Sequence, residues 1–537
     1  MSIADSKTQK YDRQLRLWHA HGQAALERSK VCLLNGSGVG TEIVKNLILP
    51  GIGSLVVVDS AIVSDSDLGE NFFVTPAHVG QPRAKAVSDL LLELNGDVHG
   101  DYLQEDPEAM IERSPEFFKQ FTLVIATQIS GKSLRRLADI CWEQDVALII
   151  VQAHGLVGYA RIQVREHTIV ESHPEQIVDL RFDSPFPALA AFADSFDLDA
   201  MDSLAHSHMP YIILLLKALN TWKQSHNAAL PSNRDEREEF KQLVRTQERK
   251  EPGVENLNFE EALASAYRAW TPTTIPSSIQ SILDDTRAAE NLTPDTPDFW
   301  IIARAVRDFV ANEGHGLLPL PGTVPDMHSD TESYVNLQTI YRTKARQDAA
   351  AVAARVTELV ALAGRAERPI ALDEIDRFCK NAAFVKVLRY RSFAEESDPR
   401  TAEAKTIGNA LASDPRDNAA WYVALRAGEE CKEHLGRWPG EPDSTSGHEV
   451  DVESDAAVLR DAIATYLAAR GLPTDAVSND HVVEFVRAAG ANLHVTAALL
   501  GGVVSQEAIK LLTRQYVPID NTVVFDGVRS VASVYRL

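Results

Sequence analysis

The sequence predicts an α/β protein, a doubly wound, Rossmann-like domain interrupted by a large helical insertion. Three observations carry this expectation. Between residue 30 and about residue 165, short apolar runs alternate with helical patterns, and the first run opens onto a glycine-rich turn. From about residue 175, helical periodicity takes over. After residue 480 a helical stretch leads into two short β-prone pieces. The expected boundaries are therefore 1–170 and 481–537 for the two parts of the α/β domain, with a helical insertion over 171–480.

Val31–Leu34 reads as a buried strand that ends in Asn35-Gly-Ser-Gly-Val-Gly40. Ile43, Leu47 and Ile48 follow at helical spacing, Pro50-Gly51 punctuates, and Ser54–Val58 is a second strand ending at Asp59. Strand, glycine turn, helix, strand, acid is the order of a nucleotide-binding unit. In such a unit, backbone N–H groups meet phosphate at the helix start and the acid meets a ribose. A tight structural turn would carry the same glycines, so Gly36, Gly38 and Gly40 alone leave both readings open. Leu123–Ala126 and Ala147–Val151 are further strands, with the helical stretch Lys132–Cys141 between them. Ser130-Gly-Lys-Ser133 ends like a phosphate-binding P-loop, but Ala126 stands where that motif needs its first glycine.

In the insertion, Pro210–Trp222, Glu236–Arg249, Phe299–Asn312, Tyr334–Gly364 and Asn418–Arg437 carry helical periodicity between proline-rich breaks. The acidic stretch Gly440–Asp455 reads as a solvated loop. Val495–Thr513 reads as a helix, and Thr522–Asp526 and Ser530–Leu537 as the terminal strands.

The net charge of −23, from 76 acidic and 53 basic residues, opposes a phosphate backbone, so no nucleic-acid partner is expected. The N-terminus has no apolar signal core, and runs such as Ile212–Leu216 are too short to span a bilayer. No membrane partner is expected, and the location expected is cytoplasmic, nuclear or both. Four widely spaced cysteines without a CxxC pair suit a reducing compartment. Cys32, Cys141 and Cys431 read as packed residues. Cys379, with Arg377 and Lys380 beside it, is the best placed for a nucleophile, although apolar packing is favoured there too. His206 and His208 make a poor metal site without further ligands, and His154 reads as a turn histidine. No metal site is expected.

The residues around the glycine turn resemble the adenylation domain of ubiquitin-like-modifier-activating enzymes. The resemblance rests on Tyr11-Asp-Arg-Gln-Leu-Arg-Leu-Trp18, Glu42-Ile-Val-Lys-Asn-Leu47 and Leu55-Val-Val-Val-Asp59. Asn71-Phe-Phe73, Phe186-Pro-Ala-Leu189, Ile275-Pro-Ser-Ser278, Leu317–Asp326, Lys344–Val352 and Leu499–Lys510 resemble the family's regulatory branch, nearest to the Nedd or Rub type. The resemblance runs nearly end to end.

It also implies a set of catalytic residues from which this chain departs. Aligned on Gly40, the first two glycines of the family loop become Asn35 and Ser37, and the second strand ends Asp59-Ser-Ala61. Glu70 stands where the family's phosphate-binding arginine belongs, Arg83 where its lysine belongs, and Ile129 where its magnesium-holding aspartate belongs. Adenylation gathers negative charge that cations and a metal must offset.

The resemblance therefore implies a pseudo-adenylation domain with no catalytic residue and no cofactor of its own. Its obligate partner would be a catalytic subunit that binds ATP and Mg. The ubiquitin-like modifier and a conjugating enzyme would be further partners, in the process that ends with the modifier on cullins. Arg13 would reach in trans to the partner's ATP; the alternative is a surface arginine paired to an acid on its own helix. A SUMO-type regulatory subunit, or a self-sufficient nucleotide-dependent α/β enzyme, remain as alternatives. Tyr334, Leu337 and Tyr341 recur at i, i+3 and i+7, a spacing that suits either a face for the partner subunit or packing within the chain's own helical domain.

Overall fold

The computed structural model describes residues 3–537 apart from 176–178, 250, 253–254, 290, 397–400, 415 and 443–450. The chain divides into two compact units, residues 1–167 with 387–537, and residues 168–386.

The first unit is built on an eight-stranded sheet. Its strands are β1 (Lys30–Leu34), β2 (Ser54–Val58), β3 (His99–Leu103), β4 (Leu123–Thr127), β5 (Ala147–His154) and β6 (Val157–Gln163). Two short strands, β7 (His167–Ile169) and β8 (Lys386–Leu388), stand apart from it, and β9 (Thr522–Asp526) and β10 (Val531–Tyr535) complete it. The order is β10-β9-β6-β5-β4-β1-β2-β3, with β1 to β5 paired in parallel and β6, β9 and β10 joined antiparallel. The inner parallel strands β1, β2, β4 and β5 are largely buried and accordingly read as near-continuous apolar runs such as Lys30-Val-Cys-Leu-Leu34. Chain order reverses between β1 and β4, and the crevice at that switch point is where α/β sheets place ligands.

Helices Gly38–Ile48 and His494–Thr513 pack together on one face of the sheet, where Gly501 lies so close that a Cβ there would sit 2.6 Å from Glu42 Cβ. His494–Thr513 is long and apolar enough, by length and composition, to cross a membrane. Its Leu500, Val504 and Ala508 are instead buried in the core of this unit.

The opposite face is covered by Gly131–Glu143, Ala419–Leu435 and Val452–Ala469. This corrects the expected domain boundary, because the insertion ends near residue 386 rather than 480. A helix laid on a sheet and a helix inside a bundle share one amphipathic period, so periodicity alone does not mark where the chain rejoins its sheet. Residues 443–450 of the stretch expected as a loop lie outside the described residues, and the helix beginning at Val452 occupies its end.

Two strands of the eight-stranded sheet, and the short pair β7 and β8, are not expected from the sequence. β3, His-Gly-Asp-Tyr-Leu, is a polar edge strand, and β6 carries Arg161 at its centre. Arg161 is fully buried and donates to Glu396 Oε2 at 2.5 Å and to the Leu537 carbonyl at 3.2 Å.

The second unit is helical around Tyr211–Ser225, whose Ile212–Leu216 are all buried with Phe240 and Phe259. Its long helix Thr331–Leu362 settles the alternative left open for the i, i+3, i+7 face. Leu337 and Tyr341 are fully buried in this unit's own core, and the Tyr341 hydroxyl donates to the Leu180 carbonyl at 2.7 Å. They are not available as a partner face. Tyr334, at the half-buried end of the row, donates to Asp326 Oδ1 at 3.3 Å. The spacing was right, but it reported a core stripe.

Candidate functional site

A cavity of about 500 Å3 lies at the switch point, where Asn35 follows β1 and Gln128 follows β4. Helix Gly38–Ile48 starts there. Its N-cap is Ser37, whose hydroxyl accepts from the Gly40 amide at 3.3 Å and meets the Thr127 hydroxyl at 2.9 Å. The helix start is thus partly satisfied from within.

The glycines answer to packing. A Cβ on Gly38 would lie 2.3 Å from the Glu70 carbonyl oxygen, and Asn71 Nδ2 donates to the Gly36 carbonyl at 3.1 Å. The turn is narrow because the 70–71 backbone lies across it.

Asp59 is buried and fully engaged. Its carboxylate accepts from the Gly36 amide at 2.8 Å, the Ala61 amide at 2.8 Å and Arg83 Nε at 2.7 Å. It braces the turn rather than offering an acceptor to a ribose. Arg83 is fixed at its other end by Asp67, at 2.9 Å. Burial works against the Arg83 charge, but the two carboxylates more than offset it and raise its pKa.

Glu70 faces the cavity. Burial raises its pKa, the Asn492 amide donated to it acts in the opposite direction, and the neighbouring Asp67 pushes it up again. Ile129 is buried in the core, and the residue that lines the cavity at the end of β4 is Gln128. The Gln128 side chain is closed onto Ala153, accepting from its amide at 3.1 Å and donating to its carbonyl at 2.8 Å. Neither position supplies a carboxylate for magnesium. Among the described residues no cluster of three or more His, Cys, Asp or Glu could hold a metal ion.

Lys432, from helix Ala419–Leu435, enters the cavity with Nζ 5.0 Å from the Trp438 ring centroid, and burial lowers its pKa. The sequence reading missed this residue, because nothing local marks a lysine within a helix as pocket-lining. The lining therefore opposes Arg83 and Lys432 to Asp67, Glu70 and Glu441, and Arg83 is already neutralised. Magnesium triphosphate does not fit such a lining. A misplaced unit charge at 4 Å costs about 4 kcal/mol at an effective dielectric near 20.

The cysteines lie elsewhere and are buried. Burial pushes the Cys379 thiol up to about 12, so its basic neighbours do not produce a thiolate. His206 stacks on Phe259 with centroids 5.3 Å apart, and its pKa is lowered by burial.

His154 stacks on Phe485 at 3.7 Å and bonds the Phe485 carbonyl at 2.8 Å; burial lowers its pKa to about 4. The unfolded chain protonates this histidine first, so its contribution is present above about pH 6.5 and is lost as pH falls toward 4. By pH 4 the loss should be about 3 kcal/mol. Urea unfolding of wild type and His154→Phe over that range should show a flatter pH slope in the variant. Parallel slopes would remove His154 from the acid response.

The Tyr11–Gln14 segment lies at the start of helix Asp12–Arg28. Tyr11 is buried, donating to Asp97 Oδ2 at 3.0 Å and accepting from Asn95 Nδ2 at 3.0 Å. Asp12 pairs with Arg16 at 3.0 Å, while Arg13 is exposed and has no ion pair among the described residues. The alternative of an arginine held by an acid on its own helix therefore describes Arg16.

A model of the ThiF family matches residues 11–534. The chain is 41% identical over 539 residues to a protein of Gallus gallus named NEDD8-activating enzyme E1 regulatory subunit, covering 99% of each. It is 38% identical to the NEDD8-activating enzyme E1 regulatory subunit AXR1 of Arabidopsis thaliana, over 100% of this chain and 97% of that one.

The chain belongs to the ThiF family, with the NEDD8-activating enzyme E1 regulatory subunits.

The yeast relative of the same name is 26% identical over 98% of this chain and 100% of its own. The ThiF match opens at the anchoring Tyr11 and closes within β10, so it spans both parts of the sheet unit and the helical unit between them.

Proposed function

We propose that this ThiF protein is the regulatory subunit of a NEDD8-type activating enzyme. It pairs with a catalytic subunit that binds ATP and Mg and forms the modifier adenylate and thioester, for passage to a conjugating enzyme. The chain itself is catalytically silent. One observation carries this reading: Glu70 faces the cavity while Arg83, its main counter-charge, is bound by Asp59 and Asp67. The shared name of relatives that match nearly end to end favours this reading over a SUMO-type subunit or a self-sufficient nucleotide enzyme. Cytoplasm, nucleus or both is the location proposed.

With the modifier and Mg-ATP, the purified chain should give ATP–pyrophosphate exchange no faster than a blank, and exchange should appear when the catalytic subunit is added. Exchange by the chain alone would overturn the proposal. A second expectation concerns Cys379. A reconstituted dimer carrying Cys379→Ala should still form a reducible thioester with the modifier at the wild-type rate. A well-folded variant that forms adenylate but no thioester would move the nucleophile into this chain.

A further inference from the structure

Two hollows in the helical unit flank one segment, Leu317–Gly322, in which Leu318 and Leu320 are buried. On one side is a cavity of about 270 Å3 with an apolar wall that includes Phe182, Leu318 and Phe384. On the other side is a cavity of about 210 Å3 rimmed by Arg342, Arg346 and Lys380. Pro321 lines both, so the two hollows adjoin at this residue.

The charges in these hollows are unusual for so acidic a chain. Arg342, Arg346 and Lys380 are exposed, and none has an ion pair among the described residues. Arg268, in the larger cavity, lies 5.2 Å from the Tyr267 ring centroid, and its Nε is buried with no hydrogen-bond partner. Of the acids that line the hollows, Asp179 is taken by Arg181 at 2.8 Å, which leaves Asp376 against Arg268, Arg342, Arg346 and Lys380, none of them in an ion pair among the described residues. With 76 acidic residues in the sequence, cations left unpaired around a hollow are groups that a ligand can satisfy.

We propose that this double hollow is a docking site for a short acidic segment of a partner protein. One apolar side chain of that segment would enter the larger cavity beside Arg268, and its carboxylates would lie on Arg342, Arg346 and Lys380. The larger cavity is close to the lower end of small-ligand pockets, a size that suits one large side chain. The separation of an apolar anchor from a charged rim is the usual division between affinity and specificity.

Fluorescence anisotropy of the full chain tests this, with a labelled short peptide in which one phenylalanine is flanked by aspartates and glutamates. Saturable binding in the micromolar range is expected. It should weaken about tenfold or more when the phenylalanine becomes serine, when lysines replace the acids, or when the protein carries R342E with R346E. Arg268→Gln, inside the hollow, should weaken it independently, and thermal unfolding of both proteins checks that they remain folded. The proposal is overturned if the lysine peptide binds as well as the acidic one. It is equally overturned if folded R342E/R346E and Arg268→Gln proteins bind with wild-type affinity, or if inorganic phosphate at matched ionic strength displaces the peptide.

Discussion

Arg13→Ala should slow adenylation by the assembled enzyme about ten- to a thousandfold, equivalent to about 1.4–4 kcal/mol, while leaving the dimer intact. The geometry behind this expectation is a fixed base with a free tip. Tyr11 is locked beneath by Asn95 and Asp97, and at Gly51 the backbone comes so close that a Cβ would lie 2.7 Å from the Tyr11 hydroxyl. Two residues on, Arg13 stands exposed, with no ion pair among the described residues. If the partner's ATP lies opposite, the forked N–H donors of Arg13 meet negative charge as it gathers on the phosphates. Arg13→Lys should restore only part of the rate, since lysine keeps the charge but loses the fork. Arg16→Ala is the control, because Arg16 is held by Asp12 and should matter little. One exposed side chain contributes little to a large interface, so gel filtration should show unchanged dimer. ATP–pyrophosphate exchange at the wild-type rate from an intact Arg13→Ala dimer would end the trans-arginine reading.

The parallel half of the sheet was legible because burial on both faces forces continuous apolar runs, as in β1, β2, β4 and β5. β3 and β6 were not, for opposite reasons. β3 lies at an edge and keeps polar residues, while β6 is buried yet holds an arginine whose partner is 235 residues away. The glycine turn was visible, but its meaning depended on Glu70 and Asn71 crossing it, which no local pattern states. Ile129 marked the missing carboxylate, although the side chain that lines the cavity is that of Gln128. The row Tyr334, Leu337, Tyr341 shows the limit of periodicity. It identifies which residues share a face, and only packing tells whether the face belongs to the chain's own core or to another protein.

Glu396→Ala should destabilise the sheet unit by about 3–5 kcal/mol, the usual cost of removing one partner from a buried ion pair. Glu396 lies in Phe393–Glu396, distant in sequence from everything it binds. Its carboxylate accepts from Arg161 at 2.5 Å, from Arg426 Nε at 3.2 Å and from the Tyr422 hydroxyl. Arg426 also pairs with Glu429, to which Tyr159 donates at 2.6 Å. Burial opposes the Glu396 charge, yet Arg161 and Arg426 hold its carboxyl below the ordinary glutamate range. The network thereby fastens β6 and the chain end at Leu537 to helix Ala419–Leu435. Removing the carboxylate takes from Arg161, whose side chain is 0% exposed, the Glu396 counter-charge that it meets in the core. Hydrogen exchange should read the effect directly. Amides of β6 and of Ala419–Leu435 should exchange about two to four orders of magnitude faster, equivalent to about 3–5 kcal/mol in opening free energy. Replacing Arg161 by Met together with Glu396 by Leu should cost less than the sum of the single changes, because no buried charge is then stranded between them. If the two single effects add, the pair is not coupled, and the network is only a set of neighbours.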